Sequence, residues 1–308
     1  MRLTFWKVQS IGNDFVLVHL PDVETAARER VPRGAIPDIE AFLPMLAKAL
    51  CQRRFCIGSD GLLVIGRDHD RLTLRMFNPD GTEDFCGNGL RCAAVHAHRQ
   101  GWTGEALEIE HGGLTVPAQL LGGGLVRTVI GPADYTPSKV PIRARGEVFN
   151  EAVWSGMIDG MALNFFGSAL TTGSTHVVIP TIELPDDHSF EAISRRIETD
   201  ARFPRQTSVI WCQETAPMRL KVRIWERGAG ETLGCGTGSA AAAADYMRRR
   251  SAAGLIEVEN PGGTVRVSAP SWNGRLTVEG VAEELYEGVV DLPSPGESLA
   301  QPEALVSR

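Results

Sequence analysis

Short runs in which apolar and polar side chains alternate fill the first eighty residues, and they predict strands separated by glycine turns. Residues 3–20 read as strand, turn, strand: Leu3-Thr4-Phe5-Trp6, then Gly12-Asn13-Asp14, then Phe15-Val16-Leu17-Val18. Residues 21–37 combine charge with Pro21, Pro32 and Pro37 and read as a surface loop. From 39 to 51 the apolar positions recur at helical spacing. Strand character returns in Gly61-Leu62-Leu63-Val64-Ile65-Gly66 and Leu72-Thr73-Leu74-Arg75-Met76-Phe77, and Asn78-Pro79-Asp80-Gly81 is a turn. A helix is predicted from near Asn88 to before Gly101, and Gly122-Gly123-Gly124 marks a hairpin-like break. The second half repeats the plan, with strands near 161–167, 176–180, 207–213 and 219–226 and a helix near 189–200. Its last helix runs from about Thr237 to Arg250 and is stopped by Gly254. The alanines after Ser239 leave that helix no polar face at its start, which predicts burial there.

One motif is written twice. Phe85-Cys86-Gly87-Asn88-Gly89-Leu90-Arg91-Cys92-Ala93-Ala94 returns as Gly234-Cys235-Gly236-Thr237-Gly238-Ser239-Ala240-Ala241-Ala242-Ala243, at an offset of 149 positions. Downstream, Glu108-Ile109-Glu110 recurs as Glu257-Val258-Glu259, and Gly112-Gly113 as Gly262-Gly263 after a slip of one residue. A duplicated unit predicts two domains of about 130–150 residues. Residues 132–147, rich in proline and basic side chains, read as the crossover between them. One cysteine per copy predicts two thiols facing each other across a pseudo-two-fold axis.

The bulk numbers narrow the classes of function. Hydrophobic content is 43% and charged content 22%, ordinary for a soluble globular protein. A net charge of −7 argues against nucleic acid as a partner. No run approaches the roughly 20 apolar residues of a membrane span, and the N-terminus lacks the apolar stretch of a signal peptide. The expected compartment is therefore the cytoplasm, with no membrane partner. The six cysteines show no zinc spacing, so no metal site is expected. Cys51, Cys56, Cys92 and Cys212 read as reduced, buried thiols; Cys86 and Cys235 stand apart because of their surroundings.

Each of these two cysteines precedes a Gly-x-Gly turn that opens a helix. The first N–H groups of a helix have no partner within it and can hold an anion. The amides of Gly87, Asn88, Gly236 and Thr237 could thus cradle a carboxylate. The same helix ends favour thiolate over thiol, moving a cysteine pKa from roughly 8.5 toward the 3.5–7.5 range. A thiolate and a thiol on opposite faces of the carbon beside that carboxylate form a two-base racemase: one removes the α-proton, the other returns one. Pyridoxal is the usual way to acidify such a carbon. Only Lys7, Lys48, Lys139 and Lys221 are present, none in a glycine-rich phosphate context, so no cofactor is expected. Neither copy is a P-loop or a dinucleotide fingerprint.

With these motifs the chain resembles the diaminopimelate epimerase family of cofactor-independent amino-acid racemases. The blocks that carry the resemblance are Gly12-Asn13-Asp14-Phe15, Gly58-Ser59-Asp60-Gly61, Phe77-Asn78-Pro79-Asp80-Gly81, the two cysteine turns, and Glu226-Arg227-Gly228-Ala229-Gly230-Glu231-Thr232. The resemblance implies an α/β (α+β) fold of two pseudo-symmetric domains, each a β-barrel-like sheet wrapped around a central helix. It sets the domains at 1–131 plus 281–292 and at 132–280, with 293–308 a tail, and the last strand, near 281–292, returns to the first domain. Cys86 and Cys235 match the catalytic pair, and Gly87, Asn88, Gly236 and Thr237 the reacting-end carboxylate site. Asn13, Asn78, Glu226 and Arg227 match residues that hold the rest of the substrate. His176 and Glu226 match groups that tune the two thiols, and Tyr286 a contact of a homodimer.

The implied activity interconverts LL- and meso-diaminopimelate, in lysine and peptidoglycan precursor synthesis. Two departures stand out: Ser174-Thr175 replaces Asn-Pro before His176, and Ser208 replaces an asparagine. In the family both asparagines help hold the distal carboxylate, so Ser174 and Ser208 are candidate substrate contacts with shorter reach. They leave open a racemase for another amino acid, such as histidine. A non-catalytic amino-acid binder or thiol redox sensor is the alternative from another class.

Overall fold

The computed structural model describes residues 2–32, 35–68, 71–158 and 160–292; the expected tail, 293–308, lies outside the described residues. The chain forms two compact units, one running up to Val126 and resuming at Val281, the other Arg127–Gly280.

The first unit opens with β1 (Arg2–Ser10) and β2 (Asn13–His19), an antiparallel hairpin turning at Ile11 and Gly12. Both turn residues have positive φ, 49° and 80°, the backbone a two-residue hairpin of the right twist requires. Next come α1 (Leu20–Arg28) and α2 (Ile39–Leu50), then β3 (Gly61–Asp68) parallel to β2 and β4 (Arg71–Phe77) antiparallel to β3. The helix α3 (Gly87–Arg99) leads to β5 (Ala106–His111), parallel to β4, and β5 turns back into β6 (Leu114–Leu120). The glycines 122–124 then lead into β7 (Leu125–Ile130), beside β6 in the sheet, as the hairpin-like break predicted. The far end of β16 (Leu276–Asp291) pairs with β1, from Ser10↔Ala282 to Arg2↔Asp291. With β7 beside β16, the eight-stranded sheet closes on itself. It wraps α3, which packs against β1, β3, β4, β5 and β6 and is buried without interruption from Gly87 to Ala97. A second apolar layer fills the outer face, where Val23, Leu43, Leu46 and Leu50 pack on Val16, Val18, Leu62 and Val64.

The second unit runs through the same succession. It has β8 (Glu151–Ile158), β9 (Met161–Thr171), β10 (Thr175–Thr181), α4 (Asp187–Glu198), β11 (Ser208–Ala216), β12 (Arg219–Glu226) and the short β13 (Gly230–Thr232). Then follow α5 (Gly236–Arg250), β14 (Gly254–Asn260) and β15 (Gly263–Ala269). The parallel pairs β10–β11 and β12–β14, each bridged by a helix, repeat the pairs β2–β3 and β4–β5 of the first unit. Here α5 is the wrapped helix, buried from Gly236 to Met247. Alanine at 240–244 lets strands approach from every side, which is why no amphipathic stripe is needed.

One expectation fails: the loop at 21–37 contains α1. Pro21 stands in its first turn, where a missing N–H costs nothing. Val23, Ala26 and Ala27 form its buried face while the charges point outward. Proline and charge, read as loop signals, here mark a helix start and its solvated side. The last strand also begins earlier than expected, at Leu276.

Candidate active site

In the first unit, β4 gives way to a turn in which Asn78 accepts from the N–H of Gly81 and donates its own N–H to the carbonyl of Thr82, both at 2.8 Å. The Asn78 side chain is bonded within that turn, Nδ2 to Thr82 Oγ1 at 3.0 Å. The chain then reaches Cys86, whose extended backbone (φ −131°, ψ 109°) makes it the N-cap of α3. Its Sγ accepts the N–H of Gly89 at 3.3 Å, so the sulfur sits at the first turn, where N–H groups have no carbonyl partner within the helix. Gly89 is required there: a Cβ would lie 2.9 Å from Leu63 Cδ2 on β3 and 3.5 Å from the sulfur.

Asn88, buried, faces away from solvent into a polar network. Its Nδ2 donates to Asn13 Oδ1 at 3.1 Å, and Asn13 Nδ2 donates to Asp60 Oδ2 at 2.8 Å. The fully buried Arg91 donates Nη2 to Asn88 Oδ1 and Nε to Ser10 Oγ at 3.0 Å. The structure thus brings Asn13 and Asn88 together beside the Cys86 turn, with Asp60, Arg91 and Ser10 as positioning partners. His111 is a further member that the sequence reading missed. Its Nε2 accepts the N–H of Cys86 at 2.8 Å while Nδ1 faces the carbonyl of Leu74 at 2.9 Å. Burial pushes its pKa below the usual value, consistent with a neutral ring that donates from Nδ1. The repeat held the signal: the position answering to His111 is Asn260, which accepts from Ser239 Oγ at 3.1 Å near the start of the other wrapped helix.

In the second unit, Cys235 caps α5 with almost the same backbone (φ −132°, ψ 117°), and its Sγ accepts the N–H of Gly238 at 3.3 Å. A Cβ at Gly238 would lie 2.8 Å from Ile210 Cδ1 on β11 and 3.4 Å from the sulfur. Cys235 is buried, whereas Cys86 is half-buried. Here the side chain two residues on is Thr237, with Oγ1 3.4 Å from Cys235 Sγ and 3.1 Å from Ser174 Oγ. Ser174 Oγ is also 3.1 Å from His176 Nε2. Ser174, His176, Thr237 and Cys235 are therefore one cluster. Burial, with the Arg227 charge as a second cause, pushes His176 down to about 3.

Ser208, beside His176 in the parallel register of β10 and β11, accepts the N–H of Arg227 at 3.1 Å. Glu226 Oε1 accepts from Thr232 Oγ1 at 2.6 Å. The turn after β12 is held by Glu198, which accepts from Gly228 N at 2.8 Å and from Trp225 Nε1 at 2.7 Å. Tyr286 on β16 stands opposite Lys7 of β1, 52% exposed, its ring edge-to-face with Phe5 at 6.3 Å.

The chain is similar throughout to proteins already characterised. A sequence profile described as Diaminopimelate epimerase matches residues 5–135 and 168–281. A diaminopimelate epimerase of Desulforudis audaxviator is 33% identical over 298 residues, covering 93% of this chain and 98% of that one. One of Burkholderia pseudomallei is 32% identical over 314 residues, covering 96% and 100%. Among solved structures, a probable proline racemase from Agrobacterium radiobacter K84 with bound carbonate superposes with a TM-score of 0.66 at 12% identity, covering 97% of this chain and 95% of that one. A hydroxyproline epimerase from Agrobacterium vitis with bound trans-4-hydroxy-L-proline gives 0.63 at 14% identity, covering 97% and 93%. At that identity the structural likeness speaks to fold, while the profile and the near full-length identity speak to descent: this chain belongs to the diaminopimelate epimerase family.

Proposed function

We propose that this protein is an isomerase that interconverts LL- and meso-diaminopimelate by exchanging the α-proton between two cysteines, without a cofactor. The observation that carries the reading is the pair of cysteine N-caps. Each sulfur accepts an N–H from the third residue of its helix at 3.3 Å. A donated N–H and the positive end of a helix both favour the thiolate that a general base requires. The N–H groups that open the same helices, at Gly87 and Asn88 and at Gly236 and Thr237, supply donors for the substrate carboxylate. In one direction Cys86 removes the proton and Cys235 returns one; in the other the roles exchange.

Asn13, Asn78, Glu226 and Arg227 are assigned to the remainder of the substrate, with the guanidinium of Arg227 suited to a distal carboxylate. His176 and Glu226 tune the thiols. Near full-length identity to named diaminopimelate epimerases supports the substrate. Tyr286 and its exposed neighbours Leu285 and Val289 on β16 support a homodimer through that strand. None of the six cysteines is in a disulfide, and thiol chemistry of this kind requires a reducing compartment, which supports the cytoplasm. No described helix is long and apolar enough to cross a membrane.

The test is solvent deuterium incorporation at the α-carbon of LL-diaminopimelate, with a panel of other L-amino acids, histidine included, alongside. Exchange confined to diaminopimelate supports the assignment. Faster exchange with another amino acid moves the substrate, and none with reduced protein removes the activity.

A further inference from the structure

The second unit holds a line of side-chain hydrogen bonds that ends on a sulfur. It runs from His176 Nε2 to Ser174 Oγ at 3.1 Å, on to Thr237 Oγ1 at 3.1 Å, and on to Cys235 Sγ at 3.4 Å. Thr237 is steadied by its own carbonyl, which accepts from Thr172 Oγ1 at 2.8 Å. Ser174 closes the loop before β10 and supplies the one hydroxyl that joins the ring to Thr237. We propose that Ser174 is a positioning residue for Cys235: it couples His176 to Thr237 and so aims the Thr237 hydroxyl at the sulfur when the sulfur is a thiolate. The proposal rests on the acid–base reading of Cys235 given above, and it assigns Ser174 to the thiol instead of to the distal end of the substrate.

A hydroxyl has one donor and two acceptor lone pairs and can turn. With the proton of His176 on Nε2, every donor in the line points toward the sulfur, and the Thr237 hydroxyl donates a hydrogen bond to the thiolate. When Cys235 carries a proton, the Thr237 hydroxyl can turn and accept from the thiol, while Nε2 keeps its proton and still donates to Ser174 Oγ. No bond is made or broken in the line; only dipoles reorient. The ring serves as a neutral dipole and not as a proton acceptor, because burial and the charge of Arg227, at the end of β12, hold it unprotonated. Ser208, its neighbour on β11, is occupied by the N–H of Arg227. The half-site of Cys86 is built otherwise. The corresponding side chain, Asn88, is bound to Asn13 and Arg91, so Cys86 provides an internal control within the same molecule.

The experiment is alkylation by iodoacetamide across a range of pH on the full chain, read separately for the Cys86 and Cys235 peptides by mass spectrometry. In Ser174→Ala the Cys235 profile moves to higher pH and its alkylation at neutral pH slows about 3- to 10-fold, less than the loss of a whole hydrogen bond to a charged group because Thr237 remains beside the sulfur. The Cys86 profile stays in place, and Ser174→Thr, which keeps the hydroxyl, stays near wild type. An unmoved Cys235 profile in a Ser174→Ala protein of wild-type melting temperature overturns the proposal. So do equal shifts at both cysteines, or a Ser174→Thr profile displaced as far as that of alanine. No substrate is present, so this failure is distinct from failure of the epimerase reading, which deuterium exchange decides.

Discussion

The two cysteine turns share a backbone and its immediate packing and differ in the polar side chains around them. Cys86 and Cys235 have nearly the same φ and ψ, the same bond from the third helical N–H, and a glycine pressed against an aliphatic side chain of the sheet, Leu63 or Ile210. Around Cys86 the neighbours are amides and a guanidinium, Asn88, Asn13 and Arg91, with the His111 imidazole on its backbone N–H. Around Cys235 they are hydroxyls and an imidazole: Thr237, Ser174, His176. The two copies share what the backbone does, which is to place a sulfur and the first N–H groups of a helix together. They differ in the side chains around each thiol. The amide network is bonded to Asn13 and Arg91, while the hydroxyls of the other line can turn.

Substitutions at each half-site test the contrast between them. The largest effect is expected from the sulfurs. Cys86→Ala and Cys235→Ala should each lower epimerisation by about 10²–10⁴-fold, as loss of a general acid or base does. A steady-state assay in both directions checks it, and a variant retaining near wild-type rates would show that its half-site is not catalytic. Next comes Arg91→Met, which leaves Asn88 Oδ1 and Ser10 Oγ without their buried donor. A loss of about 1–3 kcal/mol in urea unfolding is expected, with Cys235 alkylation unaltered. A change at Cys235 would mean that the two networks are not independent.

Gly89→Ala and Gly238→Ala should cost about 1–3 kcal/mol each from overpacking against Leu63 and Ile210. Unequal costs would show that the two turns are not equivalent in packing.

The smallest effect concerns pH. His176, held down to about 3, is neutral in the folded chain, while an unfolded histidine titrates near 6.5. The unfolded state therefore takes up the proton first. The contribution of this ring is fully present above pH 6.5 and is lost as pH falls toward 3, about 2 kcal/mol of it by pH 5. His19, in the first unit, is pushed down to about 4 by burial and by the neighbouring His96, and acts with the same sign. The urea midpoint should fall between pH 7 and pH 5, and fall less in His176→Gln. An equal fall in that variant would place the titration elsewhere.

Much of the site was legible in the chain because its signal is local. Cysteine followed by Gly-x-Gly before an apolar run is a strand-to-helix turn, and finding it twice gave the proposed acid–base pair. Asn13 and Asn88 were found as separate motif members, and their hydrogen bond could not be read from positions 75 residues apart. His111 and Glu198 were missed because each acts on a backbone N–H far away in sequence. The helix α1 was missed because its charges and proline are equally good signs of a loop. Its burial comes from packing on β1, β2 and β3, which no local pattern of residues 21–37 records.

Periodicity, glycine turns and a repeated motif are properties of neighbouring residues, so most of the strands and helices, the duplication, the family resemblance and the two cysteine turns are legible in the chain, while α1 and the start of β16 are not. Only the tertiary structure decided what each thiol touches. Whether Ser174 faces a ligand or links His176 to Thr237, and whether Asn88 is held by Arg91, depends on strands paired across long intervals. A hydrogen bond exists only where such pairing brings donor and acceptor within about 3 Å.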